Sequence, residues 1–104
     1  EHQSIAFMIA DMATKVKAAR ELVYDAAVTK DTGGNSTLAS SMAKYYASEI
    51  CNEVAAKALQ IHGGYGFVRG FKIERLYRDC RVFTIYEGTS QIQQIVISGQ
   101  VLGQ

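Results

Sequence analysis

Residues 84–93, TIYEGTSQIQ, set one carboxylate, Glu87, between an aromatic-rich run and a glycine, directly before a helix start. A loop carboxylate is by default solvated, and it is also favoured near a helix N-terminus, where unpaired backbone N–H groups carry partial positive charge. The neighbours of Glu87 point further. Phe83, Ile85 and Tyr86 bring apolar surface beside it, Gly88 permits close approach of a backbone or ligand, and Thr89 adds a hydroxyl. A carboxylate so placed is suited to general-base chemistry on a proton held against the apolar side.

A second candidate is QIHGGYGF, residues 60–67. Its plain reading is a helix C-cap and turn. The spacing Gly64-x-Gly66-x-x-x-Gly70 does not fit the dinucleotide fingerprint G-x-G-x-x-G, and no strand precedes it, so a Rossmann phosphate loop is rejected. What remains is open backbone N–H groups beside the Gln60 amide, able to hydrogen-bond polar ligand atoms without adding charge. His62 has no second His, Cys or acid at ligand spacing, so no metal site is expected.

Composition excludes several classes. Eleven Lys and Arg against ten Asp and Glu give a net charge of +1, spread along the chain, which leaves no basic footprint for nucleic acid or an anionic membrane. Cys51 and Cys80 lie far apart in helical patterns, which argues against a disulfide framework and for a reducing compartment. Asn35-Ser36-Thr37 has the form of a glycosylation acceptor, but a helix-capping turn explains it without a secretory context. No run approaches the ~18 apolar residues of a membrane span. The expectation is a soluble intracellular chain of one compact domain, 104 residues long and 48% hydrophobic. It starts at Glu1 without a methionine and enters a helical pattern almost at once, so a piece of a longer protein is expected.

These groups must be held by helices. From Ile5, the positions Met8, Ile9, Met12, Val16, Ala19, Leu22, Val23 and Ala26 recur at helical spacing and predict a first helix that ends near Lys30 at KDTGG. Asn35 or Ser36 should cap a second helix, with Leu38, Met42, Tyr45, Ala47, Ile50, Val54 and Ala58 on one stripe, running to about His62. Tyr46, Cys51, Ala55 and Leu59 broaden that stripe and make this helix central. GGYGFVRG, with four glycines in eight residues, reads as a loop. KIERLYRDC predicts a short helix with Ile73, Leu76 and Cys80 on one face and the pairs Glu74/Arg78 and Arg75/Asp79 on the other. RVFTIY has strand propensity but no partner strand, so an extended connector is expected. Ser90 and Gln93 have capping-box spacing for a last helix with Ile92, Ile95, Val96 and Leu102 inward. The fold class is all-α, a four-helix up-and-down bundle.

QIHGGYGF followed six residues later by ERLYRDCRVFTIYEGTSQIQ resembles the C-terminal domain of the acyl-CoA dehydrogenases, and the likeness in order and spacing extends over essentially the whole chain. The resemblance implies a flavoenzyme that oxidises the α,β bond of an acyl-CoA to a trans-2-enoyl-CoA and passes electrons to an electron-transfer flavoprotein. It implies that Glu87 is the base taking the α-proton, that its own N–H is one donor to the thioester oxygen, and that Tyr86 and Gly88 line the substrate. Thr89, Ser90 and Gln91 match residues that bind FAD. Gln60, Ile61, His62, Gly63 and Gly64 match the loop that receives part of the FAD from a neighbouring subunit. A homo-oligomer, dimer or tetramer, sharing FAD across subunits is therefore implied, located in bacterial cytoplasm or the mitochondrial matrix.

The family's N-terminal helical domain, middle β-domain and first helix of the C-terminal domain have no counterpart in these 104 residues. Some branched- and long-chain members carry the base on that helix. Glu87 in the YEGT position favours the commoner arrangement and a short- or medium-chain substrate. Two alternatives stand beside this reading: a non-catalytic four-helix interaction module, and a flavin-dependent acyl-CoA oxidase or enoyl-CoA reductase.

Overall fold

The computed structural model describes residues 3–67, 69–70 and 72–103. Helix α1 spans Gln3–Asp31, α2 Ser36–His62, α3 Lys72–Cys80 and α4 Ser90–Leu102. No glycine or proline interrupts residues 3–31, and α1 stops where glycine first allows it to. Gly33 adopts φ 78°, and the Gly34 N–H bonds back to the Thr29 carbonyl at 2.9 Å. Asn35 then caps α2 by accepting from the Leu38 N–H at 3.3 Å, while its amide donates to Gln100 of α4 at 2.8 Å. One side chain thus starts α2 and ties the end of α4 to it.

The second helix is central, as its broad stripe predicts: α1, α3 and α4 each pack on α2 rather than extensively on one another. Its inner positions are small. Ala43, Ile50 and Ala55 are buried with Cys80, among Ser41, Ser48, Thr84 and Ser90. Small residues let helix backbones approach closely but bury little apolar area each. The radius of gyration is 16.1 Å, against about 13 Å for a compact chain of this length, and the long axis of 48 Å is set by α1.

Several expected inward positions face outward. Ile9, Val16 and Val23, at seven-residue intervals on α1, are 51%, 40% and 47% exposed. The side that meets α2 carries Met8, Asp11, Met12, Lys15, Ala19, Leu22 and Ala26 instead. The apolar arc of α1 is wider than one neighbouring helix can cover. On α4, Ile92, Ile95 and Leu102 are exposed and only Val96 of the expected set turns inward, joined by Gln93 and Ile97. Between α1, α2 and α3 lies an apolar groove of about 500 Å³, lined among others by Val16, Ala47, Ile50, Val54, Ile73 and Leu76.

Two connectors differ from expectation. Gly63–Phe67, read as loop, forms a 3₁₀ turn. The turn packs against α2 so closely that a Cβ on buried Gly66 would lie 2.7 Å from the Leu59 carbonyl oxygen. Val68 of the expected loop lies outside the described residues. Arg81–Thr84, read as extended, is also a 3₁₀ turn. Without a partner strand its backbone groups are satisfied only by curling back on themselves. In α3 the Glu74–Arg78 pair closes at 2.8 Å. Arg75 and Asp79 form no ion pair among the described residues, and Asp79 borders the apolar groove. Among the described residues no helix is long and apolar enough to cross a membrane.

A four-charge cluster ties α1 to α2. Asp11 meets Lys57 at 2.9 Å and Lys15 at 3.0 Å, Lys15 also reaches Glu53, and Lys57 lies 3.8 Å from Glu53. Hydrogen bonds from Lys57 and then Lys15 hold the Asp11 carboxyl below the usual carboxylate range. Hydrogen bonds to Glu53 and then Asp11 hold the Lys15 ammonium above the usual lysine range. The lowered Asp11 pKa adds stability above its unfolded value near ~4, lost as pH falls through the folded value. The raised Lys15 pKa adds stability below its unfolded value near ~10, lost as pH rises through the folded one. Thermal unfolding should therefore show a plateau between these limits and an acid limb that added salt and Asp11→Asn both make shallower. An acid limb identical in the Asn variant would show that the cluster does not link the helices.

Candidate functional site

The Glu87 loop is built from its two ends. At the α3 end, the Asn52 amide of α2 donates to the Cys80 carbonyl at 2.9 Å, and the Cys80 thiol points back toward Asn52 at 3.6 Å. Burial pushes this thiol's pKa up, so Cys80 is a packing residue, not a reactive one. The Arg81 guanidinium donates to the Thr84 hydroxyl, which in turn donates to the Arg81 carbonyl at 3.0 Å, closing the 3₁₀ turn. The N–H groups of Ile85 and Tyr86 both donate to the Val82 carbonyl, at 2.9 and 3.0 Å. The Phe83 and Tyr86 rings lie 5.8 Å apart, tilted by 36°.

At Glu87 the chain reverses. Its φ is 56°, making it the one non-glycine residue in the left-handed region among those described, and Gly88 follows at φ 96°. A non-glycine residue in that region costs about 1–3 kcal/mol and persists only when its surroundings enforce it. No acceptor for the Glu87 N–H lies within hydrogen-bonding reach among the described residues. Thr89 then caps α4, accepting from the Ile92 N–H at 3.2 Å. The expected cap, Ser90, is buried and donates its hydroxyl to Glu49 of α2 at 2.9 Å, so tertiary contact moves the cap back by one residue. An open cleft of about 460 Å³ is lined by Glu87 and Tyr86 together with Phe83, Ala47, Cys51 and Lys44.

Tyr86, Glu87, Gly88, Thr89, Ser90 and Gln91 thus come together at the start of α4, where the first N–H groups of the helix have no intrahelical acceptor. Tyr86, Glu87 and Gln91 are exposed there. Gln60, Ile61, His62, Gly63 and Gly64 lie at the C-terminal end of α2, away from Lys44 and Glu49, which meet the loop and the start of α4. Residues 44 and 60 are about 24 Å apart along the helix at 1.5 Å per residue. Gln60 is exposed, its carbonyl accepts the Gly63 N–H, and His62 Nδ1 sits 2.8 Å from the Ala58 carbonyl oxygen. A Cβ at Gly63 or Gly64 would meet nothing within 4 Å, so the backbone there is open to an approaching ligand. The residues suit two separate stretches of one long polar ligand, not a single enclosed pocket.

Sequence reasoning missed Lys44, whose ammonium reaches the loop at the Phe83 and Gly88 carbonyls. The available signal was a lysine set among Met42, Tyr45, Tyr46 and Ala47 on the central helix, where a half-buried ammonium needs partners. Glu49, partner of Ser90, was missed too. Nothing local marks it.

Residues 1–102 match the profile of the acyl-CoA dehydrogenase C-terminal domain. The chain is 68% identical over 102 residues to the caffeyl-CoA reductase-Etf complex subunit CarC of Acetobacterium woodii, covering 98% of this chain and 27% of that protein. It is 53% identical to the 3-(aryl)acrylate reductase of Clostridium sporogenes, covering 96% of this chain and 26% of that protein. The solved structure of butyryl-CoA dehydrogenase from Megasphaera elsdenii matches it at a TM-score of 0.95 and 41% identity, covering 98% of this chain and 27% of that one. The chain spans about a quarter of the length of the relatives it matches.

Proposed function

The chain belongs to the acyl-CoA dehydrogenase family, and from that premise we propose that it carries the proton-transferring carboxylate, Glu87, of a flavoenzyme that interconverts an acyl-CoA and its trans-2-enoyl-CoA. The observation that carries the reading is Glu87 itself, held at φ 56° beside the cleft with its own N–H free of protein acceptors among the described residues. In the oxidative direction the Glu87 carboxylate takes the α-proton of the thioester as a hydride leaves the β-carbon. The Glu87 N–H hydrogen-bonds the thioester oxygen, where charge develops as the α-proton departs. FAD, when bound, supplies the two-electron acceptor for that hydride. Gly88 lets the thioester lie against the backbone, and the Tyr86 ring shields one side of it from water.

Thr89, Ser90 and Gln91 are the residues that would hold the flavin end of FAD, Ser90 and Gln91 through the opening N–H groups of α4. Gln60 to Gly64 would hold the other end of a cofactor bound mainly by a second subunit. Their separation along α2 supports sharing of FAD within a homo-oligomer. An electron-transfer flavoprotein is the proposed electron partner, in keeping with the name of the Acetobacterium protein.

A second reading concerns direction and substrate. Both curated relatives above are reductases, of a caffeyl-CoA and of aryl acrylates. The same Glu87, protonated, would deliver a proton to the α-carbon as hydride reaches the β-carbon, because both directions share one transition state. The deciding experiment gives the full-length protein straight-chain and 3-aryl substrates, oxidising saturated thioesters with an artificial acceptor and reducing enoyl thioesters with chemically reduced flavin. Turnover of straight-chain short- or medium-chain substrates is expected on the first reading, and preference for 3-aryl-acryloyl thioesters on the second. Failure with every thioester in both directions would overturn both and leave the interaction module.

A further inference from the structure

We propose that Lys44 is a positioning residue for the reaction, holding the Glu87 turn in its left-handed conformation by bridging the carbonyls on either side of it. This rests on the reading of Glu87 as the proton-transferring group. Lys44 stands in the first half of α2, the best-supported helix of the domain. Its Nζ donates to the Phe83 carbonyl at 2.6 Å and to the Gly88 carbonyl at 3.0 Å, and lies 5.9 Å from the centre of the Tyr86 ring. An ammonium has three N–H donors, and two of them here close the ends of the segment that contains Ile85, Tyr86 and Glu87. The cation above the ring adds a third tie to the same segment.

The loop's other hydrogen bonds do not constrain Glu87. Those of Ile85 and Tyr86 to Val82 come before it, and the Thr89 cap comes after. Among the described residues, the bond from Lys44 to the Gly88 carbonyl is the one hydrogen bond joining residues 85–89 to α1, α2 or α3. Without it the exposed Glu87 would relax out of a conformation that its side chain disfavours. Lys44 makes no ion pair with the Glu87 carboxylate among the described residues. Its charge is directed at backbone oxygens, so its role is to orient the carboxylate and the adjacent N–H, not to neutralise them.

The test compares Lys44→Met, Lys44→Arg and Glu87→Gln in the full-length protein. Met keeps the apolar stem and removes the donors, and Arg restores donors and charge. In Lys44→Met, flavin reduction at saturating acyl-CoA is expected to slow by roughly 10²-fold, the cost of a misplacement of about 1 Å. KM should change little, FAD content should be retained, and Lys44→Arg should recover most of the rate. Hydrogen exchange of the 85–88 amides should accelerate in Lys44→Met while that of α2 and α4 is unchanged. Parent-like rates in Lys44→Met, in a protein that Glu87→Gln inactivates, would overturn the proposal. If Glu87→Gln keeps the parent rate, the reading of Glu87 has failed instead, and the exchange data alone decide whether Lys44 holds the turn. Should Lys44→Met not fold, Lys44→Gln carries the same comparison, because a single short amide cannot span both carbonyls.

Discussion

Glu87→Gln in the full-length protein is expected to abolish turnover of acyl-CoA while leaving the fold and cofactor content intact. Gln preserves the shape and hydrogen-bonding reach of the side chain but cannot accept a proton at neutral pH. Loss of a general base typically costs ~10²- to 10⁴-fold, and the loss here should reach at least that range because TIYEGTSQIQ contains no second carboxylate to substitute. The backbone is unaffected. Gln tolerates φ 56° about as well as Glu, and the N–H at residue 87 stays where it was. Substrate binding should therefore persist, with the deficit in kcat and not in KM. Flavin bleaching on mixing with substrate reads the hydride step directly, and a Gln variant that bleached at the parent rate would remove Glu87 from the chemistry.

The isolated 104-residue chain is expected to bind FAD too weakly to retain it through gel filtration, while the full-length protein retains it. The two candidate cofactor segments are separate, Gln60–Gly64 at the C-terminal end of α2 and Thr89–Gln91 beside Glu49 at its middle, and the backbone at Gly63 and Gly64 is open, not walled in. A tight small-molecule site buries most of its ligand, and neither segment does so alone. Helical circular dichroism of the same sample would establish that the chain is folded when the cofactor is tested. A stoichiometric yellow cofactor on the folded 104-residue chain would refute the claim that the enclosing surface is supplied from elsewhere.

The sequence by itself determined the helices and the site motif. The ends of α1, α2 and α3 depend on chemistry within a few residues of each end. Gly33 stops α1, Asn35 starts α2, Gly63 follows its last residue, and the KIERLYRDC segment forms α3 from its first residue to its last. The fold class and the likeness carried by QIHGGYGF and TIYEGTSQIQ were legible for the same reason, since both motifs are contiguous. Tertiary structure decided whatever depends on a partner remote in sequence. Strand propensity in RVFTIY yielded to a 3₁₀ turn because no neighbouring strand could take its hydrogen bonds. Capping passed from Ser90 to Thr89 because Glu49, forty-one residues earlier, claims the serine hydroxyl. The apolar stripe of α1 split into a packed side and an exposed one because a periodic pattern records which residues share a face, not how wide an arc the neighbour covers. Lys44 became part of the Glu87 loop only when the fold brought an ammonium to two carbonyls 39 and 44 residues away, a contact fixed by helix packing and invisible to any local pattern.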